Sequence, residues 1–262
     1  MGDPWRLDGE VAIITGAGRG LGRGCAVELA RAGATVVLAA RTRADLERTA
    51  ALVRDAVSEV GGGAQAAAIP FVVDATDPAQ VAALVEFGES IGDLRVLVTA
   101  AGTNRTGPAQ TYSLADWDLL FELNVRATFV ACQRFGERLL ERGVGGRIVT
   151  MSSQMGSVGY PGRSAYCATK HAVNGLTRAL AVEWARRRIR VNAVAPTFVQ
   201  TPLTAPMFED PAFREEVLER RLPSGRLATI EEVAHAVRYL ACEASGSVTG
   251  EILAVDGGWT AW

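Results

Sequence analysis

The sequence predicts an α/β fold, namely a doubly wound, seven-stranded parallel sheet with helices on both faces. Short β-branched runs alternate with longer segments of helical periodicity along the whole chain, which is typical of repeated βαβ units. No linker-like stretch interrupts this alternation. Because 262 residues with 48% hydrophobic content can bury one sizeable core, we expect a single domain over residues 1–262.

Seven runs have the length and composition of buried strands, and six segments between them have helical periodicity. The predicted strands are residues 11–15, 35–40, 67–73, 95–100, 147–152, 190–195 and 251–255. The predicted helices lie near residues 20–32, 43–60, 78–91, 113–142, 165–187 and 229–241. Doubly wound sheets bind ligands beyond the carboxyl ends of their strands, so we expect the functional residues there.

Residues 201–226 are the one long segment that fits no βαβ unit. The segment is rich in proline and carries the apolar residues Leu203, Met207, Phe208 and Phe213. Long excursions of this kind in compact domains are usually lids or binding loops. We therefore expect a substrate lid at about residues 201–226.

Charge and composition exclude several classes of function. The formal net charge of -2 argues against nucleic acid or an anionic membrane as partner and leaves a small uncharged or anionic substrate. No stretch approaches the roughly 18 consecutive apolar residues that span a bilayer, and the first residues lack a signal core, so we expect a cytoplasmic protein. The four cysteines form no C-x-x-C pair and the two histidines are too few for a metal centre, which predicts reduced thiols and no metal.

The segment after the first predicted strand has the pattern T-G-x-x-x-G-x-G. It consists of Thr15, Gly16, Ala17, Gly18, Arg19, Gly20, Leu21 and Gly22 and leads into the first predicted helix. Backbone N–H groups and the helix dipole at such a position bind a pyrophosphate, and glycines avoid the Cβ atoms that would block its approach. The loop therefore predicts a phosphate-binding site.

Tyr166 and Lys170 lie four residues apart in a predicted helix, hence on one face of it. Lys170 is the only lysine among 27 basic residues, so its presence is not explained by surface charge, which this chain supplies with arginine. An ammonium favours phenolate, and we expect it to lower the pKa of Tyr166 toward the working pH. The pair predicts a proton-transfer site.

These two motifs resemble those of the short-chain dehydrogenases/reductases, and the resemblance covers essentially the whole chain. It implies a Rossmann-type fold and NAD(P)-dependent interconversion of a ketone or aldehyde and an alcohol. The family's serine lies thirteen residues before the tyrosine, which selects Ser153 to hold the carbonyl oxygen and leaves Ser152 as strand-end packing. The resemblance also implies that Lys170 binds the ribose hydroxyls and that Asn124 holds a water joining Lys170 to solvent.

The end of the second predicted strand bears on the choice of cofactor. NAD-binding folds place an acid there for the ribose 2'-OH, whereas this chain has Ala40 followed by Arg41. Arg41, with Arg19 from the glycine loop, offers donors to a 2'-phosphate. We therefore expect NADP rather than NAD as cofactor.

The family resemblance implies further cofactor contacts. Asp74 matches the position whose carboxylate meets the adenine amino group, although an acid here can also cap the next helix. The other residues implied are Ala75, Ala100, Ala101, Gly102, Pro196, Val199 and Thr201. Two departures from the family pattern occur among them, because Asn-Asn-Ala-Gly is replaced by Thr-Ala-Ala-Gly at residues 99–102 and Pro-Gly by Pro-Thr at 196–197.

The substrate stays open at this level. A 3-oxoacyl-carrier-protein reductase would use the basic group at residues 186–190 to dock its acidic partner, although such a group is more commonly a solvated helix end. A sugar or polyol dehydrogenase is the second alternative, against which the apolar lid argues mildly. A cofactor-sensing protein without turnover is the third. The family resemblance also implies a homodimer or homotetramer, paired through the helices near 113–142 and 165–187, with Trp259 and Trp262 buried against another subunit.

Overall fold

Seven parallel strands form one sheet in the computed structural model of the chain, which describes residues 2–59, 67–201 and 204–261. The strands are β1 (Glu10–Thr15), β2 (Thr35–Ala40), β3 (Ala68–Val72), β4 (Asp93–Thr99), β5 (Gly146–Met151), β6 (Ile189–Pro196) and β7 (Ile252–Val255). Their spatial order is β3-β2-β1-β4-β5-β6-β7, with every neighbouring pair parallel. The predicted fold class is confirmed, and the strand order reverses between β1 and β4, where such sheets open a crevice.

Helices cover both faces of this sheet. They are α1 (Gly20–Arg31), α2 (Arg43–Glu59), α3 (Pro78–Ser90), α4 (Leu114–Phe121), α5 (Ala127–Arg142), α6 (Ser164–Trp184), α7 (Pro211–Glu215) and α8 (Ile230–Ala241). Buried apolar residues of α1, α2 and α8 form one core, and those of α3, α5 and the C-terminal half of α6 form the core on the opposite face. Successive strand residues point to opposite faces, so Ile14 packs in the first core and Ile13 in the second. Within the described ranges, no helix combines the length and apolar character needed to cross a membrane.

The main departure from prediction is the helix expected over residues 113–142. It consists of α4 and α5, separated by the π-helical segment Glu122–Arg126 that contains Asn124. A π segment widens one turn of the spiral, and hydrophobic periodicity does not reveal so local an irregularity. Elsewhere the ends differ by a few residues: β4 begins at Asp93, and α6 ends at Trp184 and continues as a 3₁₀ turn, Ala185–Arg187. Residue 60, the expected end of the second helix, lies outside the described residues.

The segment expected as a lid forms short helical turns over residues 204–226, whereas Leu203 lies outside the described residues. A 3₁₀ turn, Ala205–Glu209, precedes α7, and a π-helical turn, Glu216–Arg221, follows it. The rings of Phe208 and Phe213 pack edge-on against Phe198 beyond β6, with centroid distances of 5.8 and 5.5 Å. These apolar side chains therefore build a small core of their own.

Trp259 belongs to the same small core. Its ring lies 5.8 Å from that of Phe198 and 5.9 Å from that of Tyr160, and the residue is 6% exposed. The expectation that Trp259 needs a second subunit for burial is therefore wrong, because the chain itself covers it. Trp262, the other aromatic of that expectation, lies outside the described residues.

Candidate active site

The glycine-rich loop joins β1 to α1 through a turn that needs glycine. Gly16 and Gly20 have φ of 70° and 54°, a region that residues with a Cβ rarely adopt. Gly22 packs so closely on the Gly16 carbonyl that a Cβ there would clash. Arg19, the residue before α1, caps none of the helix N–H groups with its side chain. The N-terminus of α1 therefore has the geometry of an anion site.

Two residues that sequence analysis missed brace this loop. Arg23 on α1 donates to the Gly18 carbonyl and, through Nε, to Thr49 Oγ1 at 3.0 Å. Thr49 on α2 in turn has its Oγ1 2.9 Å from the Ala17 carbonyl oxygen. The position of Arg23, one helical turn after Arg19, is a sequence signal from which its role could be predicted. The role of Thr49 depends on how α2 packs against the loop, and no sequence pattern near Thr49 indicates it.

A cavity of about 370 Å³ opens at the carboxyl ends of the strands, and we call it the first cavity. Ser153 and all the residues predicted to bind the cofactor line it. Those residues are Gly16, Gly18, Arg19, Gly20, Leu21, Gly22, Arg41, Asp74, Ala75, Ala100, Ala101, Gly102, Tyr166, Lys170, Pro196, Val199 and Thr201. Asn124 is the one predicted site residue that is not part of its wall. The first cavity thus joins the glycine loop, the ends of β2, β3, β4 and β6, and the Tyr166 motif.

The end of the first cavity at β2 is lined by Arg19, Ala40 and Arg41. Both arginines are exposed, and within the described part of the chain neither forms an ion pair. Asp45, which sequence analysis missed, lines the same end, but its carboxylate is paired with Arg48. Its only sequence signal is that it lies four residues after Arg41. The net charge at this end therefore favours an anionic group.

Asp74 lies at the wall of the first cavity after β3. Its carboxylate accepts hydrogen bonds from Thr76 N at 3.0 Å and Thr76 Oγ1 at 2.8 Å, and these bonds lower the pKa of Asp74. The N-cap of α3 is Asp77 instead, which accepts from Ala79 N at 2.9 Å. Asp74 is therefore held as a carboxylate at the cavity without serving as the helix cap.

The two departures from the family pattern leave unpaired hydroxyls. Thr99 Oγ1 and Thr197 Oγ1 are buried, and the described residues provide no hydrogen-bond partner for either. Ala100 N and Ala101 N nevertheless contact the backbone carbonyl and Oγ1 of Thr15, at 3.2 and 3.3 Å, which joins the ends of β1 and β4. The φ angle of Thr197 is not positive, so Pro-Thr in place of Pro-Gly introduces no backbone strain.

Ser152 and Ser153 end β5 and have different partners. Ser152 Oγ donates to Asn174 Oδ1 at 2.5 Å, and Asn174 Nδ2 donates to the Gly156 carbonyl at 2.8 Å, so α6 holds the turn after β5. Ser153 Oγ instead accepts from Met155 N at 3.2 Å, and its hydroxyl lowers the pKa of Tyr166. Both serines therefore line the first cavity, but Ser152 uses its hydroxyl proton for Asn174, whereas Ser153 also lines the second cavity beside Tyr166.

Tyr166 and Lys170 lie on one face of α6, with Lys170 Nζ 5.6 Å from the Tyr166 ring centroid. Burial raises the pKa of Tyr166, while the hydrogen bond with Ser153 and the charge of Arg163 act in the opposite direction. Burial lowers the pKa of Lys170 to about 8, and its ammonium donates to the Met151 carbonyl at 2.8 Å. The expectation that Lys170 lowers the tyrosine pKa is therefore corrected: desolvation raises that pKa, and the groups that lower it are Ser153 and Arg163, not Lys170.

Asn124 lies in the π segment and joins the loop after β4 to α6. Its Oδ1 accepts from Thr103 N at 2.9 Å, and its Nδ2 donates to Thr103 O at 3.0 Å and to Thr169 Oγ1 at 3.2 Å. Both amide hydrogens are thus used by protein groups. Gly102 packs on this amide, since a Cβ there would lie 3.1 Å from Asn124 Oδ1. These contacts make Asn124 a residue that positions the cavity wall.

A second cavity, of about 430 Å³, adjoins the first. Ser153, Tyr166, Thr197 and Thr204 line both cavities. The rest of the second wall consists of Asn104, Arg105, Thr106, Gln154, Met155, Arg163, Phe198 and Met207. The hydroxyl groups of the predicted catalytic residues thus lie where two cavities meet.

A doubly wound parallel sheet with a glycine-rich turn at the end of β1 defines an α/β protein of the dinucleotide-binding class. The chain belongs to the short-chain dehydrogenase/reductase family. A short-chain dehydrogenase model described as enoyl-(acyl carrier protein) reductase matches residues 16–260. The predicted family resemblance is therefore confirmed.

Curated relatives and solved structures cover almost the whole chain. D-threitol dehydrogenase of Mycolicibacterium smegmatis is 38% identical over 257 residues, which are 98% of this chain and 95% of that protein. A 3-oxoacyl-[acyl-carrier-protein] reductase of Thermotoga maritima is 35% identical, covering 97% and 98%. The crystal structure of gluconate 5-dehydrogenase from Burkholderia cenocepacia, in complex with NADP and tartrate, is 36% identical with a TM-score of 0.89 over 99% of this chain and 98% of that one.

Proposed function

We propose that this protein is an NADP-dependent oxidoreductase that interconverts a ketone or aldehyde and an alcohol. One observation carries the proposal: Ser153 and Tyr166 lie together at the wall shared by the two cavities. A site of this layout allows cofactor and substrate to meet at a phenol that exchanges protons. The dehydrogenases and reductases among the relatives support the same reaction class.

The residues of the first cavity fit NADP. The uncapped N-terminus of α1 suits the pyrophosphate, and Arg19 and Arg41, free of ion pairs within the described residues, suit a 2'-phosphate. A gluconate 5-dehydrogenase of similar structure holds NADP, which supports this choice over NAD. The chemistry that bound NADP supplies is hydride transfer to or from the carbonyl carbon.

The protein's own groups handle the substrate oxygen. Ser153 Oγ, whose lone pair meets Met155 N, donates its proton to the carbonyl oxygen. Tyr166, kept as a neutral phenol by burial, protonates that oxygen in reduction and accepts the proton in oxidation. Lys170 uses one N–H for the Met151 carbonyl, which leaves two for the ribose hydroxyls and proton exchange. Asn124 positions the loop at Thr103 through two hydrogen bonds. The proposal includes a water bound at the remaining lone pair of Asn124 Oδ1, which would join Lys170 to solvent.

Tyr166→Phe tests the proposed chemistry directly. The variant removes the proton donor and keeps the ring, so kcat/KM should fall by about 100-fold or more for every accepted carbonyl substrate. Cofactor binding, followed by fluorescence, and thermal stability should stay close to those of the parent. Turnover near the parental rate would refute this assignment of the acid.

The lid, the assembly and the compartment are also proposals. Residues 204–226 border the second cavity through Thr204 and Met207, which supports a lid role for this segment.

A homodimer or homotetramer through α4, α5 and α6 is supported by their exposed apolar side chains, among them Leu114 at 78% and Val182 at 82% exposure. A monomeric mass in light scattering at micromolar concentration would contradict the assembly. The four buried, free cysteines suit a reducing cytoplasm.

A further inference from the structure

The second cavity holds an arginine with which no carboxylate of the described residues forms an ion pair. Arg163, the residue before α6, is 5% exposed and lines this cavity together with Ser153 and Tyr166. In the described ranges no carboxylate pairs with it, and its guanidinium contact there is Nη2 to Met207 Sδ at 3.0 Å, a weak acceptor. Burial accordingly lowers the pKa of Arg163. A buried, unpaired charge is costly, and an anionic ligand in the cavity would offset that cost.

Arg105 provides a contrast within the same cavity. It lines the wall as well, but it is exposed and its Nε lies 3.7 Å from Asp116 Oδ1. Its charge is therefore solvated and already accompanied by an acid. Of the two arginines at this wall, Arg163 is the one that no acidic side chain accompanies in the part of the chain that the structure describes.

Polar atoms without partners are concentrated around the same cavity. Asn104 Oδ1, Gln154 Nε2, Gln154 Oε1 and Thr197 Oγ1 are buried and have no hydrogen-bond partner among the described residues. Asn104, Gln154 and Thr197 all line the second cavity. An unpaired buried polar atom costs about 1–3 kcal/mol, so a purely apolar ligand would leave this cost in place. Donors and acceptors of both kinds at one wall suit a ligand with several hydroxyl groups.

The apolar residues of the lid do not alter this character. Phe208 and Phe213 pack on Phe198 and are not part of the cavity wall, so the apolar lid no longer argues against a hydroxylated substrate. Met155, Phe198 and Met207 provide the apolar part of the wall. This small apolar surface suits a ligand with a short carbon backbone, whereas a fatty acyl chain would need a larger one.

We propose that the second cavity binds a hydroxylated carboxylic acid, with Arg163 pairing with its carboxylate and Asn104 and Gln154 meeting its hydroxyls. This inference rests on the proposed function and specifies its substrate class. Arg163 and Tyr166 are three residues apart at the start of α6, so they are neighbours on one side of the helix. The carboxylate therefore lies within a few carbon atoms of the alcohol or carbonyl that reacts at Tyr166.

The first experiment compares acids with matched neutral alcohols. Aldonates of four to six carbons, such as D-threonate and D-gluconate, are assayed with NADP⁺ beside the alditols of the same length, D-threitol and D-glucitol. A charged hydrogen bond to the carboxylate should give the best acid a kcat/KM about 10- to 100-fold above that of its alditol. Equal use of both members, or preference for the alditols, would overturn the inference.

The second experiment assigns the anchor with two matched variants. Arg163→Met should reduce the acid-to-alditol ratio of kcat/KM by at least about 10-fold, mainly through KM. Because the charge of Arg163 also acts on Tyr166, the variant lowers kcat for both substrates, but that shared loss cancels in the ratio. Arg105→Met should change the ratio by less than about 3-fold. An unchanged ratio in Arg163→Met, or a collapse in Arg105→Met alone, contradicts the assignment.

The third measurement separates this inference from the proposed function. Calorimetric titration of the selected aldonate into Tyr166→Phe loaded with NADP⁺ reports binding without turnover. The double variant Tyr166→Phe/Arg163→Met should bind it at least about 10-fold more weakly. Equal binding by both proteins sinks the carboxylate anchor even if Tyr166 is essential. Conversely, turnover by Tyr166→Phe refutes the proposed chemistry, but the titration still tells whether Arg163 binds the carboxylate.

Discussion

The ammonium nitrogen of Lys170 lies 5.6 Å from the centre of the Tyr166 ring on the same face of α6. Burial moves the two pKa values in opposite directions, down to about 8 for Lys170 and upward for Tyr166. Both shifts favour the uncharged form, as low-dielectric surroundings require. The proton consequently resides on the phenol in the cofactor-free protein, which is the state needed to protonate a carbonyl oxygen.

Replacing Lys170 by arginine should lower kcat/KM by about 100-fold or more, corresponding to roughly 2.7 kcal/mol of transition-state stabilisation. The buried site holds a compact ammonium against the Met151 carbonyl, and a planar guanidinium neither fits this arrangement nor releases a proton. Steady-state kinetics measure the loss. An unchanged melting temperature separates a chemical defect from unfolding, and activity near that of the parent would mean that Lys170 serves as a charge alone.

Removing the Ser153 hydroxyl should shift the pH dependence of alcohol oxidation. The hydrogen bond with Ser153 lowers the pKa of Tyr166, so Ser153→Ala raises that pKa further. Oxidation needs the deprotonated phenol, and its rising limb should therefore move to higher pH, in addition to a loss of rate. Profiles of kcat/KM against pH measure the shift. Ser157→Ala changes an exposed serine on the same turn and should leave the rising limb of the pH profile in place. If Ser153→Ala does not move that limb either, Ser153 does not control the pKa of Tyr166.

The cofactor preference should respond to the residues at the end of β2. Ala40→Asp places a carboxylate beside the 2'-phosphate site and should shift preference toward NAD by about 1–3 kcal/mol. Arg41→Ala should weaken NADP more than NAD by a similar amount. Dissociation constants for both cofactors give these differences. An equal loss for NAD and NADP would show that this end does not contact the phosphate.

Asn174→Ala should destabilise the fold without touching a reacting group. The change removes the partner that Asn174 provides to Ser152 Oγ and to the Gly156 carbonyl, and we expect a loss of about 1–3 kcal/mol in the free energy of unfolding. Urea denaturation measures it. His171→Ala, at an exposed position of α6, serves as the control and should cost clearly less. Equal stability of the two variants would indicate that the turn after β5 does not depend on Asn174.

Local patterns predicted most of the sheet and the chemistry at its ends. The strand-to-helix glycine loop and the Tyr166–Lys170 pair are short motifs whose geometry follows from the φ freedom of glycine and the pitch of a helix. Their convergence on one cavity follows from the parallel sheet, which brings all strand ends to the same edge.

Other features depend on contacts between distant segments. The pKa of Tyr166 is governed by desolvation, which is a property of the packed site and not of the i, i+4 spacing. The partners of Asn124 and the lack of an acidic partner for Arg163 among the described residues likewise emerge only when α6 meets the loops after β4 and β6. Trp259 looked like an interface residue because nothing near it in sequence reveals Phe198.

Lys170 is the only lysine, so the protein has a single ε-amine. This amine is buried at the wall of the first cavity. Burial lowers the pKa of Lys170 to about 8, which makes the neutral, nucleophilic amine accessible at lower pH than for a solvated lysine. An amine-directed reagent that enters the cavity finds one lysine side chain to acylate, and a peptide map separates this product from that of the α-amino group. Protection of the Lys170 amine consequently counts occupied cavities, whichever cofactor or inhibitor fills them.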